Sequence, residues 1–420
     1  MVIKLLSLLL CFYYISLTAA VESLNLTFVQ ILYRHGDRAP IELYPNDPNP
    51  SSAFPLGLGA LTLLGRKQHF GLGKFFRTIY KDFKTSNPLE INVVSSDCDR
   101  CLDSAETNLA SFYAPEGKWM FDDDVSWQPF PVRYIPKKED RYLETDSYCP
   151  KADEEKKNLV NTPEGRAFIE KHQVMFDNLT INSGNDITEW TSASYLFDVL
   201  WIERRYNLTV PSWADPWWNE LEQVADLSFK WKFNSPELHR LRAGPLLQRI
   251  IQKMQEKING DIPDLKFQVY SAHDTNVAVV LNSLNLFNNK MPPYCATILF
   301  ELYSGKDDTH FLRLLYLNST APEKAAQTPH ILIIDGCTEF CPLDYFINYT
   351  QHLIPDDWEK ECQIPKSLTE VIIDQELMIE VFFLVVALII AGTAVFCTWK
   401  LCTSRRRDKY SYQLVQENYS

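Results

Sequence analysis

The stretch FVQILYRHGDRAP, residues 28–40, decides the fold. Phe28 to Tyr33 is a nearly continuous apolar run, the pattern of a strand buried on both faces, and such strands belong to parallel sheets covered by helices. The run passes without a spacer into Arg34-His35-Gly36-Asp37-Arg38-Ala39-Pro40. A cationic loop therefore stands at the carboxyl end of a buried strand, the edge at which open α/β sheets bind ligands.

Working outward, Leu61, Leu64, Leu72, Phe75, Phe76 and Ile79 recur at helical spacing and predict a helix over 61–83. Ile91 to Val94 reads as a second buried strand, followed by a helix near Leu102 to Phe112. This strand–helix–strand–helix order predicts a parallel α/β sheet. Residues near 146–235 are charged, helical in pattern and poor in strand runs, with helices expected over 163–179 and 195–206. Leu241 to Lys257 is helical again, FQVYS (267–271) is a third strand, and 296–303 with 311–317 form a hairpin around Gly305. The fold class expected is α/β: a doubly wound, mixed and mainly parallel sheet, with an inserted smaller helical domain and one C-terminal transmembrane helix. The catalytic α/β domain is assigned to 21–145 and 236–362, and the helical insertion to 146–235.

Both ends carry targeting signals. Residues 1–20 have a basic start at Lys4, an apolar stretch from Leu5 to Leu17 and the small residues Thr18-Ala19-Ala20, which together read as a signal peptide. Val381 to Trp399 is uncharged and mostly apolar, long enough to span a bilayer core of about 30 Å. Lys400, Arg405, Arg406, Arg407 and Lys409 follow it, which places the tail (400–420) in the cytosol by the positive-inside rule. Residues 363–380 read as a stalk. The expected product is a single-pass type I protein of the lysosomal membrane or cell surface, with its catalytic domain lumenal or extracellular. In the tail, Tyr412-Gln-Leu-Val415 fits a tyrosine-based adaptor-binding pattern.

Charge and cysteine usage fit export. Residues 21–399 hold 35 basic and 52 acidic residues, a net charge of −17, which argues against nucleic acid as a partner. Five sequons, at Asn25, Asn178, Asn207, Asn318 and Asn348, lie on the expected lumenal side. Seven cysteines lie there too. Seven is odd, so at least one is a free thiol or pairs between chains. Cys337 and Cys341 close a short loop that reads as a local disulfide. Cys98-x-x-Cys101 suggests zinc or redox chemistry, but no second Cys or His pair has zinc-finger spacing.

The chemistry sits in two strand-end clusters. In the first, His35 lies between Arg34 and Arg38, and Gly36 lets the backbone turn tightly. Arginine is the planar, bidentate phosphate donor, and a histidine held between two of them is placed to attack a phosphoryl group. In the second, Ser271-Ala272-His273-Asp274 offers another histidine for the phosphate and a carboxyl to protonate a departing alkoxide.

These residues resemble the histidine acid phosphatases, close to the prostatic and lysosomal enzymes. RHGDRAP is similar to the family signature, and Leu61-Thr62-x-x-Gly65-x-x-Gln68-His69, Asp97-x-Asp99-Arg100, Pro211-Ser212-Trp213, Pro292-Pro293-Tyr294 and Asp357-Trp358 also resemble family motifs, over about residues 26–362. The resemblance implies a phosphohistidine on His35, phosphate binding by Arg34, Arg38 and His273, general acid catalysis by Asp274, phosphate monoester substrates, no metal or other cofactor, a homodimer, and disulfides Cys149–Cys362 and Cys337–Cys341. It also implies a third phosphate-binding arginine where this chain has Val94, and a third disulfide for which one partner position here is Ile202, leaving Cys295 without its usual mate. Arg100, six residues beyond Val94, is expected to lie in the following helix and not to replace that arginine. The rival readings are a pseudophosphatase, kept as a phosphate-binding or adhesive membrane glycoprotein, and a phytase-like enzyme.

Overall fold

The computed structural model describes residues 24–365, 382–401 and 403. The signal peptide (1–20), most of the stalk, Cys402 and the tail residues Tyr412 and Val415 lie outside the described residues.

Strand β1 (Asn25–Arg34) occupies the middle of the sheet, as its apolar run requires. Phe28 and Leu32 face one apolar layer, and Val29, Ile31 and Tyr33 face the other. Gln30 is the polar exception, and it is satisfied: its Nε2 donates to Ile250 O (2.7 Å) and its Oε1 accepts from the Tyr270 hydroxyl (3.0 Å). Helix α1 (Leu63–Ile79) is shorter than the sequence pattern because Leu61 is taken into a bridge with Arg38 and Thr62 caps the helix. Strand β2 (Ile91–Ser96) leads through a two-residue turn into α2 (Asp99–Phe112). Strand β3 (Val132–Ile135) was not legible in the sequence. It pairs only with β2 at the sheet edge, and a strand no more than half-buried needs no apolar run.

No strand lies between Ile135 and Phe267 among the described residues. Instead come α3 (Pro150–Leu159), α4 (Pro163–Ser183), α5 (Trp190–Arg205), α6 (Trp218–Trp231) and α7 (Gly244–Asn259). Then follow β4 (Phe267–Ala272), α8 (Asp274–Ser283), β5 (Thr297–Ser304), β6 (His310–Leu317), the short strands β7 (His330–Leu332) and β8 (Cys341–Pro342), and α9 (Leu343–Thr350).

The main sheet order is β3-β2-β4-β1-β5-β6-β7. The first four strands are mutually parallel, and β5, β6 and β7 add antiparallel. Helices α1 and α2 cover one face through Leu72, Phe76, Leu109 and Phe112. Helices α7 and α8 cover the other through Leu246, Ile250, Met254, Val277 and Val280. Because β1, β2 and β4 are parallel and adjacent, their carboxyl ends open on one edge and bring residues 34–38, 96–101 and 272–274 together.

Cys149 bonds to Cys362 and Cys337 to Cys341. Among the described residues, Cys98, Cys101, Cys295 and Cys397 are free. The described residues up to Gln363 form one compact unit. A second unit contains the helix α10, Phe382–Leu401, which is 20 residues with mean hydropathy 2.4, long and apolar enough to cross a membrane.

Candidate active site

The loop after β1 is braced from several sides. Gly36 packs so closely on Gly65 of α1 that a Cβ on it would lie 2.6 Å from Gly65 O. Its amide donates to Ser104 Oγ (3.1 Å), and the amide of Asp37 donates to Gln68 Oε1 (2.8 Å). The wholly buried Asp37 carboxylate accepts from Thr62 Oγ1 (2.6 Å) and the Tyr206 hydroxyl, and pairs with Arg205 Nε at 2.9 Å. His69 reaches Arg34 O at 3.2 Å. The residues of the Thr62–His69 motif thus act by holding the loop.

This bracing fixes His35. Its Nδ1 lies 2.8 Å from Gly36 O, and a carbonyl only accepts, so the proton sits on Nδ1 and the Nε2 lone pair is free. Burial, then the positive charges of Arg100 and Arg34, the neighbouring His273 and Arg38, hold its pKa well below 6.5. The imidazole is neutral, with the Nε2 lone pair free.

His273, at the end of β4, stands edge-on to it with ring centroids 5.6 Å apart. Arg100 approaches its Nδ1 at 3.5 Å, and its Nε2 lies 2.9 Å from Ser96 Oγ. A guanidinium only donates, which leaves the His273 proton on Nε2, directed at Ser96. Burial, with Arg100 second, lowers its pKa to about 3.

Asp274 pairs with Arg34 (Oδ2 to Nη2, 2.8 Å) and its Oδ1 accepts from the Thr275 amide at 2.8 Å. Burial raises its pKa, but Arg34, Arg38, His273 and Lys232 outweigh burial and leave it below the usual carboxylate range. Arg34 also donates to Pro292 O (2.6 Å) and lies 4.2 Å over the Tyr294 ring. Arg38 pairs with Asp198 of α5 at 2.9 Å.

Two expectations need correction. Arg100 does lie in the helix after β2, but in its first turn, and it lines the cavity beside His35 and His273. The chain turns back within two residues of Ser96, so a residue six positions beyond Val94 returns to the strand end. Val94 packs against the apolar cluster under α7 and is not among the cavity residues. The cation of this side is Arg100, which has no carboxylate partner among the described residues. Next to His35, three guanidiniums, Arg34, Arg38 and Arg100, stand against two carboxylates, Asp274 and Asp198.

The cavity measures about 490 Å³. Its floor is the sheet edge, and its far wall is helical: Tyr195 and Asp198 of α5, Phe229 of α6, and Lys232. Sequence reasoning had no signal for Lys232, a buried lysine lying over the Tyr195 and Phe229 rings. Of the sequons, Asn25, Asn207 and Asn348 are exposed, whereas Asn178 and Asn318 are half-buried with their amide oxygens bonded to Trp217 and His330.

A neutral imidazole with a free lone pair among arginines at the carboxyl edge of an α/β sheet suits phosphoryl chemistry. The histidine phosphatase superfamily (branch 2) matches residues 25–317. Lysosomal acid phosphatase of Homo sapiens is 34% identical over 377 residues, covering 87% of this chain and 87% of its own length. Prostatic acid phosphatase of Bos taurus is 34% identical over 356 residues, covering 83% and 90%. The phytase from Citrobacter braakii shares the fold, with TM-score 0.61 and 19% identity over 81% of this chain and 100% of that one. The chain belongs to the histidine phosphatase superfamily.

Proposed function

We propose that this chain is an acid phosphatase that hydrolyses phosphate monoesters through a phosphohistidine on His35. The observation that carries the reading is the single free nitrogen of a neutral His35, fixed by the Nδ1 bond to Gly36 and faced by Arg100, Arg38 and His273. His35 Nε2 attacks phosphorus, the P–O ester bond breaks, and the leaving alkoxide takes a proton from Asp274. Water then attacks the phosphohistidine, gives its proton to Asp274 and releases inorganic phosphate. Arg34, Arg38, Arg100 and His273 hold the phosphoryl oxygens, where fixed positive charge is worth most as charge develops.

Asp274 is ionised in the free site and must gain a proton. A bound phosphate puts negative charge among the same arginines and cancels part of their pull on Asp274. The monoanion of the substrate, dominant below the second phosphate pKa of about 6, supplies that proton. This supports an acidic working range.

The family supports phosphate monoester hydrolysis, and no observation favours the pseudophosphatase reading. The division into an α/β domain (21–145, 236–362) and a helical insertion (146–235) remains our reading of the element order. So do a type I anchor at α10, a lysosomal or surface location, glycosylation at the sequons, adaptor binding at Tyr412 and Val415, and homodimerisation.

The test is rapid acid quench with an isotopically labelled phosphate monoester. Label is expected on His35, and His35→Ala is expected to lose about 10⁴–10⁶-fold in kcat, the scale of removing a nucleophile. A His35→Ala protein with full activity overturns the reading. Asp274→Asn is expected to slow alkyl phosphates more than aryl phosphates, whose leaving groups need less protonation. Equal slowing of both removes Asp274 as the acid.

A further inference from the structure

Two thiols that the reaction does not use flank Arg100. Cys98 is the residue from which α2 springs, and Cys101 lies in its first turn. The amide of Cys98 donates to Ser96 O and the amide of Cys101 to Cys98 O, both at 2.8 Å, closing a tight turn. Residues three apart across such a turn have Cα atoms about 5 Å apart, inside the range a disulfide spans. Cys98 is half-exposed and lines the cavity, whereas Cys101 is wholly buried. The Cys101 sulfur lies 3.4 Å from Ala272 O and 3.7 and 3.8 Å from the two ring nitrogens of His273.

The environments of the two thiols differ. A hydrogen bond from the Cys101 thiol outweighs burial and, with Arg100 alongside, brings Cys98 down to about 6. Burial pushes Cys101 well up. Cys98 is therefore a thiolate at neutral pH with an open approach through the cavity, and Cys101 is the protonated partner behind it. A low-pKa outer thiol and a buried second thiol three residues on are the parts of a redox-active pair.

We propose that Cys98 and Cys101 form a dithiol that undergoes thiol–disulfide exchange at the lip of the phosphate pocket, and that its oxidation by a low-molecular-weight disulfide slows phosphate hydrolysis. The Cys98 thiolate attacks one sulfur of the small disulfide. That S–S bond breaks, and the departing thiolate takes up the proton that Cys98 had released to water. Cys101 then attacks the Cys98 sulfur and expels the second thiol, which takes the Cys101 proton. The protein loses two electrons and two protons, and the small disulfide gains them as two thiols.

The new bond draws the Cys101 sulfur off Ala272 and His273. Arg100, between the two cysteines, turns with the backbone and leaves His273. Both are groups that the proposed reaction uses on the phosphate, so the rate consequence rests on that reading. The covalent change does not.

The test uses the full chain in detergent, incubated either with glutathione disulfide or with dithiothreitol at a concentration that leaves Cys149–Cys362 paired. Peptide mapping after alkylation reads the thiols, and an aryl phosphate reads the rate. With glutathione disulfide, residues 98–101 are expected to escape alkylation and lose two hydrogens, and kcat/KM to fall at least about tenfold, the lower scale of one charged hydrogen bond. Dithiothreitol restores both. In Cys98→Ser, glutathione disulfide leaves the rate where dithiothreitol does, whereas Cys295→Ser responds as the parent does. Alkylation of both thiols after the disulfide treatment overturns the dithiol. A Cys98–Cys101 bond with unchanged rate overturns the control of turnover, as does a Cys98→Ser protein that still responds. A reduced protein without activity strikes at the phosphatase reading, and the mapping still decides the dithiol.

Discussion

The two strand ends on either side of His273 are built differently. The loop after β1 is enclosed: Gly36 lies against Gly65, and Asp37 is bound by Thr62, Gln68, Arg205 and Tyr206. The turn after β2 is held by its own backbone bonds, by the Ser271 hydroxyl of β4 donating to Cys101 O at 2.7 Å, and by a surface contact from the Lys137 amide to Asp97 Oδ2 at 3.1 Å. Arg100 there has a buried Nε without a partner, as Arg34 and Arg38 do on the enclosed side. The first loop presents His35, the proposed nucleophile, whose lone pair must point in one direction, and enclosure supplies that. The second presents charge to an anion, which tolerates a range of positions. The difference teaches that, at one sheet edge, packing density follows how exact each group's geometry must be.

Removing Arg100 tests the open side and carries the largest expected effect. Arg100→Ala is expected to lower kcat by about 10²–10³-fold, the scale of losing one preorganised donor, with folding intact. Val94→Arg is expected to raise kcat/KM by less than that loss, because Val94 packs in the apolar layer. Steady-state kinetics on an aryl phosphate read both. Parental activity in Arg100→Ala, or a hundredfold gain from Val94→Arg, breaks the assignment of the open side.

The enclosed side is tested by adding one methyl group. Gly36→Ala puts a Cβ into the backbone of Gly65, which has no side chain to move aside. About 1–3 kcal/mol of stability is expected to be lost. Cys98→Ala, a half-exposed position whose side chain makes no capping bond, is expected to stay within about 0.5 kcal/mol. Urea midpoints measure both, and equal midpoints erase the contrast.

The smallest effect links the sides through pH. His35 must be neutral to attack, and its neighbours hold its pKa well below 6.5. The neutral form therefore persists as the pH falls through 6.5, and the acid limb of kcat/KM is expected below that value. Arg100 is the largest of the charge contributions, second only to burial, so the limb is expected to move toward higher pH in Arg100→Ala. A limb at 6.5 in the parent, or an unmoved limb in the variant, separates the two sides electrostatically.

Much of this molecule was legible locally. The run from Phe28 to Tyr33 marked β1 because a strand covered on both faces has no polar side to interrupt it. RHGDRAP and Ser271–Asp274 marked the site because each follows directly on such a strand. Strand β3 escaped because VRYI has one partner and is nowhere more than half-buried, so burial left no pattern there. Arg100 was misjudged because distance along the chain is a poor guide where a two-residue turn reverses direction. The hold on Asp37 was invisible for the opposite reason: Arg205 and Tyr206 come from the end of α5, far along the chain, and only folding brings them near.

By itself, the sequence determined which strands are central, which histidine and carboxyl stand at their ends, and that an apolar helix follows near the C-terminus. Periodicity and composition are local properties that every segment carries alone. Tertiary structure decided which nitrogen of His35 is free, that Arg100 and not residue 94 lines the cavity, and that Cys101 lies against His273. Hydrogen-bond direction, burial and charge proximity are relations between segments, and they exist only once the parallel strands have brought those segments to one edge.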